Sequence, residues 1–131
     1  MSLESPPQRL LARLAPWATA AYWLALFAAT HVPAYALPKV PVSDKIEHLV
    51  CYGLLATLLM ITSYARGKFH AGTGITVLAT MLAYGAIDEW TQIPVGRSCE
   101  LADWYADGTG SAVAVVVMTF LLRKLYYPRN G

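Results

Sequence analysis

The chain has 131 residues, of which 56% are apolar and only 14% are charged, and its mean hydropathy is +0.44. A soluble domain of this size carries about 25% charged residues, so the chain lacks the charge to cover a water-facing surface. The same composition excludes a disordered, collagen-like or disulfide-scaffold protein, and the net charge of +2 is too small to suggest nucleic-acid binding. The composition predicts a small integral membrane protein.

Four stretches without formal charge follow one another along the chain, at 14–30, 49–65, 71–87 and 108–122. The first three have 17 residues each, and a helix of that length spans roughly 25 Å, less than a hydrocarbon core of about 30 Å. Each helix must therefore extend into its polar flanks. We predict a single domain over residues 1–131, an all-α integral membrane bundle of four transmembrane helices at about 14–31, 47–65, 71–91 and 104–122.

The first of these stretches allows a second interpretation. Arg9 and Arg13, the apolar run and the triplet at 34–36 (AYA) imitate a secretory signal with a small-residue cleavage site. The run is longer than the usual apolar core of a signal, which favours a retained span, and cleavage is the alternative.

The basic residues predict the orientation of the helices. With both termini in the cytoplasm, seven Lys and Arg residues face inward and three face outward, in agreement with the positive-inside rule. The inward set is Arg9, Arg13, Arg66, Lys68, Arg123, Lys124 and Arg129, and the outward set is Lys39, Lys45 and Arg97. Of the acidic residues, only Glu4 falls on the inner side.

Polar residues at helical spacing mark the outer ends of three predicted helices. They are Lys45, His48 and Tyr52 on the second, Tyr84, Asp88, Glu89 and Gln92 on the third, and Asp103, Asp107 and Ser111 on the fourth. Ionisable groups at membrane depth cost about 2.5–3.5 kcal/mol each, so they normally face one another or water. We expect an outward-facing polar pocket, and its predicted lining is His48, Asp88, Arg97, Asp103 and Asp107.

Less specific interpretations apply to the same residues. The three aspartates and Arg97 could form a structural ion-pair network between the third and fourth helices. Lys45 and Glu47 could equally be interfacial charges, and the sequence leaves the redox state of Cys51 and Cys99 open. The ionisable residues expected at the interface or in solvent are His31, His70 and Glu100.

Two segments, 44–55 (DKIEHLVCYGLL) and 88–110 (DEWTQIPVGRSCELADWYADGTG), resemble the VanZ-like family of small multi-pass bacterial membrane proteins. That family has Lys-x-x-His opening one span, Asp-Glu-x-x-Gln closing the next, a Gly-Arg loop, and Asp-x-x-x-Asn-x-x-Gly opening the last. The matching residues here are Lys45 and His48, then Asp88, Glu89 and Gln92, then Gly96 and Arg97, then Asp103 and Gly110. Asp107 stands where many members have Asn, and the effect of this change is open.

The resemblance implies a location in the bacterial plasma membrane with the polar site on the extracytoplasmic side. The family is related to a protein linked to resistance to teicoplanin, a lipoglycopeptide antibiotic. We therefore predict a cell-envelope protein that binds a lipid head group or a lipid-linked cell-wall precursor, because Arg, Lys and protonated His bind phosphate. The predicted ligand-binding residues are Lys45, Tyr52, Glu89, Gln92, Arg97 and Asp103.

The alternative is a membrane enzyme, a metal-assisted hydrolase or transferase acting on a lipid-linked phosphate or ester at the outer leaflet. In that case His48, Asp88 and Asp107 are the predicted catalytic residues. Mg²⁺ or another divalent cation could be held by Asp88, Asp103 and Asp107. The expected partners are membrane lipids or a lipid-linked precursor and no nucleic acid. A transport or scaffold role is a further alternative, and transport would require an oligomer.

Overall fold

A computed structural model describes residues 6–38 and 41–126, and these residues form four helices and no strand. The helices are α1 (Pro6–Thr30), α2 (Asp44–Ala65), α3 (Thr73–Thr91) and α4 (Leu101–Tyr126). Short 3-10 turns occupy Ala34–Ala36 and Ile93–Val95. Glu4, Lys39 and Arg129, used above to predict orientation, lie outside the described residues.

The predicted all-helical class and the four helices are confirmed, but most helices are longer than the predicted spans. α1, α2 and α4 begin before residues 14, 47 and 104, and α4 continues beyond residue 122. The spans were bounded by the loss of charge, whereas a helix is bounded by its backbone hydrogen bonds and continues through charged residues. The extensions carry Lys45 and Asp103 into α2 and α4, so the helix backbone places both residues.

Three of the four helices are long and apolar enough to cross a membrane: α1 (over Gln8–Thr30), α2, and α4 (over Leu101–Leu125). α3 is not among them, because Asp88 and Glu89 in its last turn and several threonines and glycines lower its hydropathy. Large apolar side chains such as Leu24, Ile75 and Val116 are exposed on the outside of the bundle. An apolar exterior of this kind is typical of a membrane protein.

The interior of the bundle divides into two parts. Leu55, Met60, Val77, Met81 and Leu122 belong to an apolar cluster in which Leu55 and Met60 are fully buried. Toward the end where α2 and α4 begin and α3 ends, the buried side chains become polar, among them four carboxylates. The buried carboxylates are Asp88, Glu89, Asp103 and Asp107. Because burial of charged groups is costly, these carboxylates must either be paired with other groups or bind a ligand.

The closest helix contact joins α2 and α4, and glycine makes it possible. A Cβ atom on Gly110 would collide with the carbonyl group of Leu49, and one on Gly53 would lie 3.1 Å from the Gly110 carbonyl oxygen. Small residues allow helix backbones to approach in this way. Leu49 directly follows His48 on α2, and Gly110 lies about one turn after Asp107 on α4, so the contact sets the spacing of the polar residues.

Gly110→Ala is expected to destabilise the protein because the new methyl group would press on the backbone of α2. Overpacking costs about 1–3 kcal/mol, against a gain of up to about 1 kcal/mol in helix propensity. Gly108→Ala is the control, since its Cβ would meet only the end of the Leu82 side chain. Thermal unfolding in detergent should show a lower midpoint for Gly110→Ala alone, and equal midpoints for both variants would contradict the close contact.

Candidate functional site

Asp88 is fully buried at the end of α3 and is surrounded by hydrogen-bond donors. Tyr52 donates to its Oδ2 at 2.6 Å and Gln92 Nε2 donates to the same oxygen at 3.0 Å. Thr30 and Tyr84 donate to its Oδ1 at 3.0 and 3.3 Å. Donors from α1, α2 and α3 with its C-cap residue thus satisfy both oxygens of this carboxylate.

His31 extends this network from the end of α1. Its Nε2 lies 3.0 Å from Thr91 Oγ1, and its Nδ1 lies 3.8 Å from Asp88 Oδ1. Sequence reasoning assigned His31 to the interface and did not include Thr30. The sequence could have indicated both residues, because they are polar and lie at the predicted outer end of the first span. Asp88 lies at the predicted outer end of the third span.

His48 and Asp107 form a second buried pair, between α2 and α4. His48 Nδ1 lies 2.8 Å from Asp107 Oδ1, while Asp107 Oδ2 has no hydrogen-bond partner. Pairing and hydrogen bonding are what make a buried charge tolerable, and breaking such a pair costs about 3–5 kcal/mol. The second oxygen of Asp107 is left without this compensation.

Glu89 follows Asp88 directly in α3 but faces a different set of groups, because successive helical residues point about 100° apart. Its Oε2 accepts a hydrogen bond from the backbone N–H of Glu100 at 2.8 Å, just before α4 begins. Its Oε1 is buried and has no hydrogen-bond partner. Two adjacent carboxylates therefore differ sharply, since Asp88 is saturated with donors and Glu89 has one.

Lys45 connects the start of α2 with the start of α4. Its Nζ lies 2.5 Å from Asp103 Oδ1 and 2.7 Å from Glu100 Oε2. Glu100, expected to be a solvated loop acid, is exposed but bonded to this ammonium group. The hydrogen bond from Lys45, together with one from Ser98, lowers the pKa of the Glu100 carboxyl below its ordinary value.

Arg97 lies on the loop between α3 and α4, after Gly96, whose φ of 77° is accessible mainly to glycine. Its guanidinium is half-buried, and Nη1 lies 3.4 Å from the Val32 carbonyl oxygen. Within residues 6–38 and 41–126, Arg97 makes no ion pair with a carboxylate. The alternative of an ion-pair network between the aspartates and Arg97 is therefore not seen among the described residues.

A cavity of about 170 Å³ opens between α1, α2 and the loop that carries Arg97. Its wall has an apolar part and a polar part. The apolar part comprises Leu26, Ala29, Leu37 and Cys51, and the polar part comprises Thr30, Asp44, Glu47, His48, Tyr52 and Arg97.

Cys51 and Cys99 are both free thiols.

The predicted site residues thus fall into three groups. His48, Asp107, Asp103 and Lys45 meet between α2 and α4, together with Glu89 from α3. Tyr52, Asp88 and Gln92 form the separate network around the Asp88 carboxylate, and Arg97 lines the cavity. The three candidate metal ligands Asp88, Asp103 and Asp107 are not together in either group of potential ligands that the described residues form. The groups of potential ligands within the described residues are Asp44–His48–Asp103 and His48–Glu89–Asp107.

Comparison with known proteins finds no match for this chain among protein families, curated proteins or solved structures.

Tyr52→Phe is expected to destabilise the protein more than Tyr84→Phe, because the two hydroxyls donate to the same carboxylate at 2.6 and 3.3 Å. Removing a donor from a buried charged group costs about 1–3 kcal/mol, and the shorter bond carries the larger share. Chemical or thermal unfolding of both variants in the same detergent measures the difference. A larger loss for Tyr84→Phe would show that Asp88 does not depend on Tyr52.

Proposed function

We propose that this chain is a VanZ-like cell-envelope membrane protein that binds the anionic head group of a lipid or lipid-linked precursor in the cavity beside Arg97. The observation that carries the proposal is that Arg97 lines the cavity and forms no ion pair with a carboxylate of the described residues. Four buried carboxylates lie in the same part of the molecule. A guanidinium in this position is suited to a phosphate oxygen pair.

The mixed character of the cavity wall supports an amphiphilic ligand. Pockets that bury a drug-sized molecule have about 300–1,000 Å³, so a cavity of about 170 Å³ fits a head group rather than a whole lipid. The apolar wall from α1 would continue along the acyl or prenyl chain. Asp44 and Glu47 would accept hydrogen bonds from hydroxyl or amine groups beside the phosphate, which favours head groups that carry both.

The topology that accompanies this proposal has four spans, with α3 crossing as part of the bundle, and both termini in the cytoplasm. The distribution of Lys and Arg supports it. The site would then face the extracytoplasmic side of a bacterial plasma membrane. Lys45 and His48 of one family-like motif contact Asp103 and Asp107 of another, which is consistent with the VanZ-like resemblance. Binding of a cell-wall precursor would connect the protein with teicoplanin resistance.

Arg97→Gln is expected to weaken binding of a short polyprenyl phosphate about 10–100-fold, because a hydrogen bond to a charged group contributes about 1.5–3 kcal/mol. Native mass spectrometry in neutral detergent, with EDTA present, measures the bound fraction. The polyprenol without phosphate is the matched ligand, and Lys68→Gln, which removes a charge from the loop at the opposite end of α2, is the matched variant.

Wild-type protein should prefer the phosphate over the alcohol, and Lys68→Gln should retain that preference. Equal binding of the two ligands, or equal losses in the two variants, would contradict a head-group site at Arg97. Phosphatidylglycerol in place of the polyprenyl phosphate distinguishes a general phospholipid site from one for lipid-linked precursors.

The alternative function is a hydrolase or transferase, and the position of His48 favours it. This imidazole lines the cavity and is also held by Asp107 at 2.8 Å. In the hydrolase scheme water attacks the phosphorus or acyl carbon of the lipid and its proton passes to His48. The P–O or acyl C–O bond to the leaving group then breaks, and the leaving oxygen takes the proton back from the imidazolium; in a transferase an acceptor hydroxyl takes the place of water. Asp107 would stabilise the resulting imidazolium, and Arg97 would stabilise the charge that develops on the substrate oxygens.

If the chain is an enzyme, His48→Gln should abolish product formation. The phosphate lipid should still bind through Arg97 and be detected by native mass spectrometry. Incubation of wild type and variant with lipid-linked phosphates and esters, followed by lipid mass spectrometry, separates the two functions. A new lipid mass from wild type alone shows an enzyme, and unchanged masses with retained lipid show a binding protein.

A further inference from the structure

Three side chains with potential metal-ligand atoms, one from each of α2, α3 and α4, meet at the polar end of the bundle. One ring nitrogen of His48 on α2 and one carboxylate oxygen each of Glu89 on α3 and Asp107 on α4 lie within 4.8 Å of one another. All three side chains are buried, with Glu89 at 3% and Asp107 at 1% exposure. The sequence predicts His48 and Asp107 in the lining of one polar pocket, but Glu89 is not part of that predicted lining.

Each of the two carboxylates in this group has one oxygen with a partner and one without. Glu89 Oε1 and Asp107 Oδ2 are buried and accept no hydrogen bond. Asp107 Oδ2 faces α3, since a Cβ on Gly85 would lie 3.1 Å from it, and Gly85 is one helical turn before Glu89. Burying an ionised carboxylate without a partner is costly, so such groups are normally paired with a cation or bind a metal.

The neighbouring group Asp44–His48–Asp103 differs because it already contains a cation. Lys45 Nζ lies 2.5 Å from Asp103 Oδ1 and 3.9 Å from Asp44 Oδ2. No Lys or Arg among the described residues pairs with Glu89 or Asp107. The uncompensated charge is thus confined to the group made by His48, Glu89 and Asp107.

We propose that His48, Glu89 and Asp107 form a binding site for a divalent transition-metal cation of the Mn²⁺ or Zn²⁺ class. Imidazole nitrogen suits transition metals and carboxylate oxygen suits harder ions, so one nitrogen with two carboxylates favours these ions over Mg²⁺ or Ca²⁺. Three protein ligands leave coordination positions open to water or to a ligand oxygen. The site shares only His48 with the cavity and does not depend on a bound lipid.

The test is Mn²⁺ binding by the full chain, purified in neutral detergent without added lipid and stripped with a chelator that is then removed. Electron paramagnetic resonance should show one bound Mn²⁺ per chain, displaced by Zn²⁺, and pulsed measurements should show a coupled imidazole nitrogen. Glu89→Gln and Asp107→Asn should each weaken binding by at least 10–100-fold, the loss seen even for residues that only orient a metal ligand. His48→Gln should remove the nitrogen signal.

Glu100→Gln is the matched control, because this acid lies near the group but is exposed and bonded to Lys45. It should bind Mn²⁺ as the wild type does, and circular dichroism verifies that each variant is folded. Failure of the folded wild type to bind Mn²⁺ or Zn²⁺ at millimolar concentration would overturn the proposal. So would equal weakening by Glu100→Gln and Glu89→Gln, which would indicate binding to surface charge only.

A proton shared by Glu89 and Asp107 is the competing way to neutralise the pair. It predicts a protonated-carboxyl infrared band that Glu89→Gln changes and that persists when Mn²⁺ is added, because no metal binds. That result would also overturn the proposal. Because phosphate-lipid binding is measured in EDTA and metal binding without lipid, failure of one does not imply failure of the other.

Discussion

The close approach of α2 and α4 is the constraint on which the rest of the structure depends. Gly110 on α4 lies against the backbone of α2 near Leu49, and Gly53 lies against Gly110. At this separation His48 and Asp107 are within hydrogen-bond distance and Lys45 reaches Asp103. A wider contact would separate each carboxylate from its partner and leave both in apolar surroundings, where an unpaired polar or charged group is costly.

The polar interior follows from the apolar exterior. When the outer surface of a bundle faces lipid, ionisable side chains are stabilised only by one another or by enclosed ligands. Asp88 illustrates the first solution, with four donors from surrounding side chains. Glu89, its neighbour in sequence, accepts a single hydrogen bond from a backbone N–H. This carboxylate therefore indicates the second solution, stabilisation by an enclosed ligand. The difference arises because one helical residue rotates the side chain by about 100°.

His48 connects the three functions proposed for this interior. It lines the cavity that also contains Arg97, and on its other side it meets Asp107 and Glu89. A cation held there would lie beside a cavity suited to an anionic head group, and a metal ion can polarise a phosphoryl or carbonyl oxygen. Binding of a head group, hydrolysis of a lipid-linked bond and cation binding are thus connected through one imidazole, and each has its own readout.

Composition and hydropathy determined the helical membrane class, because a chain with so little charge cannot cover itself with polar surface. Helical spacing also placed Lys45, His48, Asp88, Asp103 and Asp107 at helix ends, since residues three or four apart share a face. Which of them meet was decided by tertiary structure, because helix rotation and crossing are set by packing at contacts such as Gly110. Hence Asp88 and Asp107, predicted in one pocket lining, have different hydrogen-bond partners in the fold, while Glu89, Thr30 and His31 gained partners that no local pattern specifies.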